Sequence, residues 1–259
     1  MKANKALGQN FLIDKNIINK IISSTTDNPN KTIIEVGPGM GALTKELVKN
    51  KDKQIVAVEI DDELYEYLQK EIKDENLKLV SGNILDFNTS DLSENKKYSV
   101  VANLPYYISS KIIFKFLEDD NCDSMTIMLQ KELVDRITST RNKKLYGRLT
   151  VAIQSFYETK RVTNVPPTCF KPRPKVDSAV VRLERMDNSG IENKALYLDF
   201  IKQCFAKKRK TLRNNLKLVY SEDQVSNNLL KIFGENWEMV RGESVSISEF
   251  KKLFTLFSK

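Results

Sequence analysis

Thr32-Ile33-Ile34-Glu35-Val36-Gly37-Pro38-Gly39-Met40-Gly41 is a β-branched run that breaks into glycines. It passes directly into Ala42-Leu43-Thr44-Lys45-Glu46-Leu47-Val48, which has the composition of a helix. Strand, glycine loop and helix form the unit with which a doubly wound α/β sheet receives a nucleotide-like ligand. Glycine permits backbone conformations closed to other residues and lets a ligand approach the main chain, so Gly37 and Gly39 are candidates for that contact. Gln54-Ile55-Val56-Ala57-Val58-Glu59 reads as a second buried strand. Its terminal acid lies about twenty residues past the loop, where a ribose-binding carboxylate is expected. The spacing Gly-x-Gly-x-Gly, in place of Gly-x-Gly-x-x-Gly, argues against a dinucleotide whose pyrophosphate sits on the helix N-terminus. S-adenosylmethionine carries no phosphate and suits the looser loop. Taken alone, the loop also fits a tight structural turn.

A second motif removes much of that ambiguity. Tyr98-Ser99-Val100-Val101-Ala102 reads as a strand and runs into Asn103-Leu104-Pro105-Tyr106. The exocyclic amine of adenine shares its lone pair with the ring, so an enzyme that alkylates it must hold the amine and localise those electrons. The Asn103 side-chain carbonyl and the Leu104 backbone carbonyl can accept its two N–H bonds. Pro105 has no competing N–H and fixes the turn, and Tyr106 offers a π-face to a base taken out of its stack. In isolation the tetrad also describes a strand ending in a proline turn. The order glycine loop, acid, then Asn-Leu-Pro-Tyr is far more specific.

Composition sets the outer bounds. A chain of 259 residues with 41% hydrophobic content holds one α/β domain and a small appendage. No apolar run approaches the roughly eighteen residues of a membrane span, and Met1-Lys2-Ala3-Asn4-Lys5-Ala6 lacks the apolar core of a signal peptide, so a cytoplasmic location is expected. Histidine is absent, which excludes Ser-His and Cys-His nucleophilic mechanisms and histidine-containing zinc sites. Cys122, Cys169 and Cys204 show neither metal nor redox spacing and read as buried small hydrophobes; no metal is expected.

The alternation of apolar segments predicts strands also at 77–80, 124–129, 154–159 and 178–183, with helices at about 10–24, 42–50, 61–73, 108–118 and 131–138. The last two strands follow each other without a helix between them, which suggests an antiparallel pair closing the sheet. The expected fold is Rossmann-like, of the class I methyltransferase kind, with a seven-stranded mixed sheet plus a small all-helical C-terminal domain. A turn-rich stretch, Met186-Asp187-Asn188-Ser189-Gly190, divides an α/β domain over 1–186 from a helical domain over 191–259.

The net charge is +8, and +5 of it lies in residues 191–259. There Lys207-Lys208-Arg209-Lys210 with Arg213 punctuates an apolar series at helical spacing, which reads as a basic ridge on a helix. A solvated face is the alternative; the base-holding tetrad in the same chain favours a polyanionic partner. Between the last two strands, the four prolines of residues 165–178 enforce a stiff, extended loop. Phe170, Arg173 and Lys175 within it could touch a base and its phosphates, or the loop is a plain connector.

Taken together the motifs resemble the ribosomal RNA adenine dimethyltransferases, and within them the KsgA type. The likeness spans nearly the whole chain and includes Gly8-Gln9-Asn10-Phe11-Leu12, Glu35-Val36-Gly37-Pro38-Gly39, Asn103-Leu104-Pro105-Tyr106, Tyr146-Gly147-Arg148-Leu149, Lys175-Val176-Asp177-Ser178 and Lys208-Arg209-Lys210-Thr211-Leu212-Arg213. The resemblance implies that Asn10, Leu12, Gly37, Glu59, the residue at 83 and Asn103 line a site for S-adenosylmethionine. It also implies dimethylation of two adjacent adenosines in a terminal hairpin loop of small-subunit rRNA, by a monomer acting within the assembling 30S particle. Asn83 stands where the family usually has Asp near the donor's adenine; its carbonyl can still accept from the adenine amine. Two rivals share the motifs: the Erm branch, which methylates large-subunit rRNA and confers antibiotic resistance, and a primarily binding ribosome assembly factor.

Overall fold

The protein is described from a computed structural model that covers residues 8–27 and 29–258; the leader reading of Met1 to Ala6 lies outside the described residues. β2 (Thr32–Val36) is buried at every position and β3 (Gln54–Glu59) at all but its first. Strands buried in this way on both faces, their buried positions apolar but for Thr32, Glu35 and the terminal Glu59, suit a parallel sheet covered on both sides. With β4 (Leu77–Ser81), β5 (Tyr98–Asn103), β6 (Cys122–Gln130), β7 (Tyr157–Val165) and β9 (Ser178–Arg185), they form a seven-stranded sheet in the order β4-β3-β2-β5-β6-β9-β7. Pairing is parallel from β4 through β6, and β9 runs antiparallel to β6. The chain reverses its direction of winding between β2 and β5, and ligands of open α/β sheets bind in the crevice at that switch.

Two sequence expectations are corrected. The helix expected from residue 10 starts at Lys15, as α1 (Lys15–Thr26), because the Asp14 carboxylate accepts the Asn16 and Ile17 amides and caps it there. The preceding residues form β1 (Phe11–Leu12), paired antiparallel with β8 (Phe170–Lys171). The strand expected over 154–159 begins only at Tyr157, since Gln154 closes a helix, α7 (Arg148–Gln154), and the Ser155 hydroxyl donates back to the Val151 carbonyl at 2.7 Å.

The chain packs as two compact units, Met1–Val134 with Thr159–Arg185 and Asp135–Glu158 with Met186–Lys259. The second unit therefore recruits a mid-chain segment that a cut near 186–191 leaves with the sheet. In it, α8 (Lys194–Cys204), α9 (Leu212–Leu216), α10 (Glu222–Phe233) and α11 (Ile247–Phe257) start at the N-caps Asn193, Thr211, Ser221 and Ser246. Tyr197 is fully buried there, edge-on to Phe156 and Phe254 at 5.7 and 5.2 Å. Among the described residues, no helix is long and apolar enough to cross a membrane.

Candidate active site

Above the carboxyl ends of β2, β3 and β5 opens a cleft with about 590 Å3 of empty volume. Gly37, Gly39, Glu59, Asn103, Leu104, Pro105 and Tyr106 line it, joined by Gly8 to Phe11, Ile60 and Leu64. A second pocket of about 440 Å3 shares Gly37, Ile60 and Pro105 with the first and is otherwise mostly apolar, with Val58, Ile84, Ile108 and Ile112 around Asn83. Gly37 has φ +65°, in the left-handed region that favours glycine, and a Cβ placed on it would meet nothing within 4 Å. The main chain there faces open space, as close approach of a ligand requires. An acid, an exposed loop backbone and an apolar slot fit the ribose, the amino-acid tail and the adenine of S-adenosylmethionine.

Glu59 is buried, and its carboxylate accepts the Gly39 amide at 2.9 Å and the Asp61 amide at 3.0 Å. Burial raises its pKa, opposed by these main-chain bonds. It thereby ties the glycine loop to the end of β3 while keeping lone pairs for a ribose. Asp61 extends the arrangement: one carboxylate oxygen caps α3 (Asp62–Glu71) and the other accepts from Gln9 Nε2 at 2.8 Å.

Glu35 sits beneath the loop, almost wholly buried, and its Oε2 has no hydrogen-bond partner. Burial pushes its pKa up to about 8, with a smaller push from Glu59. The unfolded chain ionises this carboxyl near 4.5, so between that pH and about 8 unfolding releases a proton and stability falls as pH rises. Glu35→Gln keeps the shape of the protonated acid and removes that slope. From pH 5 to 8 the melting temperature of the wild type should fall relative to that of the variant. Parallel curves would show that Glu35 is ionised in the folded protein.

The tetrad is held from several sides. Asn103 Nδ2 donates to the Asn10 carbonyl at 2.9 Å, which fixes the amide and presents Oδ1 as the acceptor. The Leu104 amide donates to the Met128 carbonyl at 3.2 Å, and the Tyr106 and Ser178 hydroxyls bond at 2.8 Å. Burial raises the Tyr106 pKa, so the phenol stays neutral and offers a ring face, not a base.

Other expected residues lie elsewhere or act differently. Leu12 is not in the cleft lining; its side chain is in the core with Ile17, Ile21 and Phe170. Asn83 uses Oδ1 to accept the Leu85 amide at 3.1 Å and cap the turn 84–86, which leaves one lone pair for an adenine amine. Phe170 is 2% exposed, because its pairing with Leu12 in β8 turns the ring into the core, so it offers no face to a base. Arg173 and Lys175 are exposed. Lys207 to Lys210 are exposed too, yet they lie in the loop between α8 and α9, not on a helix. Buried Asn215 shapes that loop: Nδ2 donates to the Cys204 carbonyl and Oδ1 accepts the Lys207 amide, each at 2.9 Å. Arg213 pairs with Glu222 and Glu238 and stacks on Trp237, so its charge is committed within the fold. Sequence reasoning did not single out Ile60, which lines both pockets directly after the buried Glu59, because nothing in the sequence tells which way this isoleucine faces. It also gave no role to Ser178, whose partner is 72 positions away.

A glycine loop and acid at the switch point, with Asn-Leu-Pro-Tyr on the same rim, define a Rossmann-like methyltransferase. A family model described as ribosomal RNA adenine dimethylase matches residues 1–255, and the chain belongs to that family. It is 40% identical over 257 residues to the ribosomal RNA small subunit methyltransferase A of Mycoplasmopsis pulmonis, covering 98% of each chain. Its structure is similar to a dimethyladenosine transferase from Plasmodium falciparum, with TM-score 0.82 and 25% identity over 96% of this chain and 97% of that one. It also resembles the 23S rRNA methyltransferase ErmE, with TM-score 0.70 and 27% identity over 96% of this chain and 100% of that one.

Proposed function

We propose that this protein uses S-adenosylmethionine to dimethylate the N6 amines of two adjacent adenosines in the 3′-terminal hairpin loop of small-subunit (16S) rRNA. It acts as a monomer in the cytoplasm, late in assembly of the 30S particle. The observation that carries the reading is the fixed Asn103 amide, with Nδ2 bonded to the Asn10 carbonyl and Oδ1 left to accept from an amine beside the Gly37 and Glu59 cleft. The small-subunit methyltransferase A relatives, about 40% identical, favour small-subunit rRNA as the substrate.

Bound in the cleft, S-adenosylmethionine supplies an electrophilic methyl group on a sulfonium. Glu59 holds the ribose hydroxyls through charge-assisted hydrogen bonds, and Asn83 with the apolar slot holds the adenine. A target adenosine is flipped out of its stack against Tyr106, and its amine donates to Asn103 Oδ1 and the Leu104 carbonyl. Those two acceptors localise the nitrogen lone pair and aim it in line with the methyl group. A C–N bond forms as the C–S bond breaks, and water takes the proton from the alkylated, strongly acidic nitrogen. Placement supplies most of the rate gain, and no general base is needed.

The domain reading enters the proposal with one addition: residues 135–158 join 191–259 on the rRNA-binding side. Lys207, Lys208, Arg209 and Lys210, with Arg173 and Lys175, bind phosphates. Combining Lys208→Gln with Lys210→Gln should weaken rRNA binding and flatten its dependence on salt by about one unit of slope for each phosphate that the variant no longer neutralises. An identical slope in the variant would reduce the loop to a solvated surface. The reaction itself is tested by supplying methyl-labelled S-adenosylmethionine with either unmodified small subunits or naked large-subunit rRNA. Label is expected on the former; preferential label on the latter would assign the chain the substrate of ErmE.

A further inference from the structure

Ser178 opens β9, a strand whose first six positions are all buried, and is itself fully buried. A hydroxyl removed from water is costly unless it finds a partner, and an alanine at this position would need none. The partner is Tyr106 Oη at 2.8 Å, across 72 positions of sequence. The main chain fixes where Ser178 stands. It pairs in register with Gln130 at the end of β6, and the Lys131 amide donates to the Asp177 carbonyl at 2.9 Å on the next rung. Because β6 runs parallel to β5, with Met128 opposite Asn103, Ser178 lies on the same rim as the tetrad. The Ser109 hydroxyl also bonds to Tyr106, at 3.1 Å, but only to its carbonyl, so it holds the main chain and not the ring. The bond from Ser178 holds the phenol end of the ring, and so the torsion about Cα–Cβ that sets the direction in which the ring points.

We propose that Ser178 is a positioning residue for methyl transfer, its hydroxyl holding the Tyr106 phenol so that the ring offers its face to the target base beside Asn103 Oδ1. The inference rests on the adenine methyl-transfer reading of the tetrad. Ser178 touches neither donor nor base and acts through Tyr106. A misplaced ring lets the amine wander from the line of attack, and small errors of placement carry large costs in rate. The exposed loop bearing Arg173 and Lys175 ends on this residue, so the anchor of the base platform is also the point from which the candidate RNA loop departs.

A double-mutant cycle tests the idea. Tyr106→Phe removes the hydroxyl and keeps the ring, and Ser178→Ala removes its partner. Single-turnover transfer of the first methyl group to unmodified small subunits is measured for wild type, both single variants and the double variant, along with dissociation constants for subunit and donor. Each single variant should slow transfer by about three- to tenfold, the scale of one missing hydrogen bond. The double variant should be no slower than either, since both substitutions remove the same bond, and neither dissociation constant should move. Multiplicative losses in the double variant, or a wild-type rate for Ser178→Ala, would overturn the assignment. A crystal structure of Ser178→Ala gives a readout independent of activity: a Tyr106 ring turned from its place is expected, and an unmoved ring overturns the proposal. If wild-type protein transfers no methyl group to small subunits, the functional reading fails, while the crystal structure still decides whether Ser178 holds the ring.

Discussion

Asn103→Ala should slow methyl transfer by about a hundred- to a thousandfold, the cost typical of deleting one preorganised polar group that acts on charge developing in a transition state. Asn103 Oδ1 places the neutral amine in the ground state and binds it more strongly as charge develops. As the nitrogen becomes cationic its N–H groups become stronger hydrogen-bond donors, and the acceptor gains most at that moment. The loss should therefore appear in the single-turnover rate and not in affinity for the small subunit, the role proposed for the basic loop. The Asn10 carbonyl loses its donor in the variant as well. The Gly8 to Phe11 segment is then less firmly held, and a modest rise in the donor dissociation constant accompanies the loss of rate. Tyr106→Ala should behave alike, since it removes the surface on which the base rests. Equal losses of rate and of subunit binding would show that these residues bind RNA and do not direct the chemistry.

Glu59→Ala should raise the donor dissociation constant by about ten- to a hundredfold, equivalent to roughly 1.5–3 kcal/mol of charge-assisted hydrogen bonding. The structure adds a second consequence. Glu59 also accepts the Gly39 and Asp61 amides, so the substitution leaves main-chain donors unpaired at the mouth of the cleft. A lower melting temperature should accompany the weaker binding. Calorimetry on the folded variant separates the effects: unaltered donor affinity with a lowered melting temperature would make Glu59 a loop staple and not a ribose ligand.

The parts of the site legible in sequence are those in which chemistry and local backbone coincide. Gly37, Gly39 and Glu59 follow from strand, loop and strand read in order, and Asn103 to Tyr106 from a strand end that gains its meaning from coming after them. What escaped depends on partners distant in sequence. Phe170 looked like a base contact because an aromatic in a proline-rich loop reads the same whether it faces in or out, and only its pairing with Leu12 turns it inward. Arg213 looked like part of a basic ridge, yet Glu222, Glu238 and Trp237 engage its charge. The helical spacing around Lys207 to Lys210 misled for a similar reason: Asn215 and the Thr211 cap break the apolar series into two helices and raise the lysines on a loop between them. Ser178 stood within a motif shared with the family but had no role, because a serine that starts a strand is commonplace until its hydroxyl is seen to meet Tyr106.

The most direct measurement is mass spectrometry of rRNA from unmodified small subunits after incubation with this protein and S-adenosylmethionine. Two methyl groups are expected on each of two adjacent adenosines in the 3′-terminal hairpin loop, with the Asn103→Ala variant leaving the same sites bare over the same time. Methyl groups found instead on large-subunit rRNA, or on neither RNA, would contradict the account.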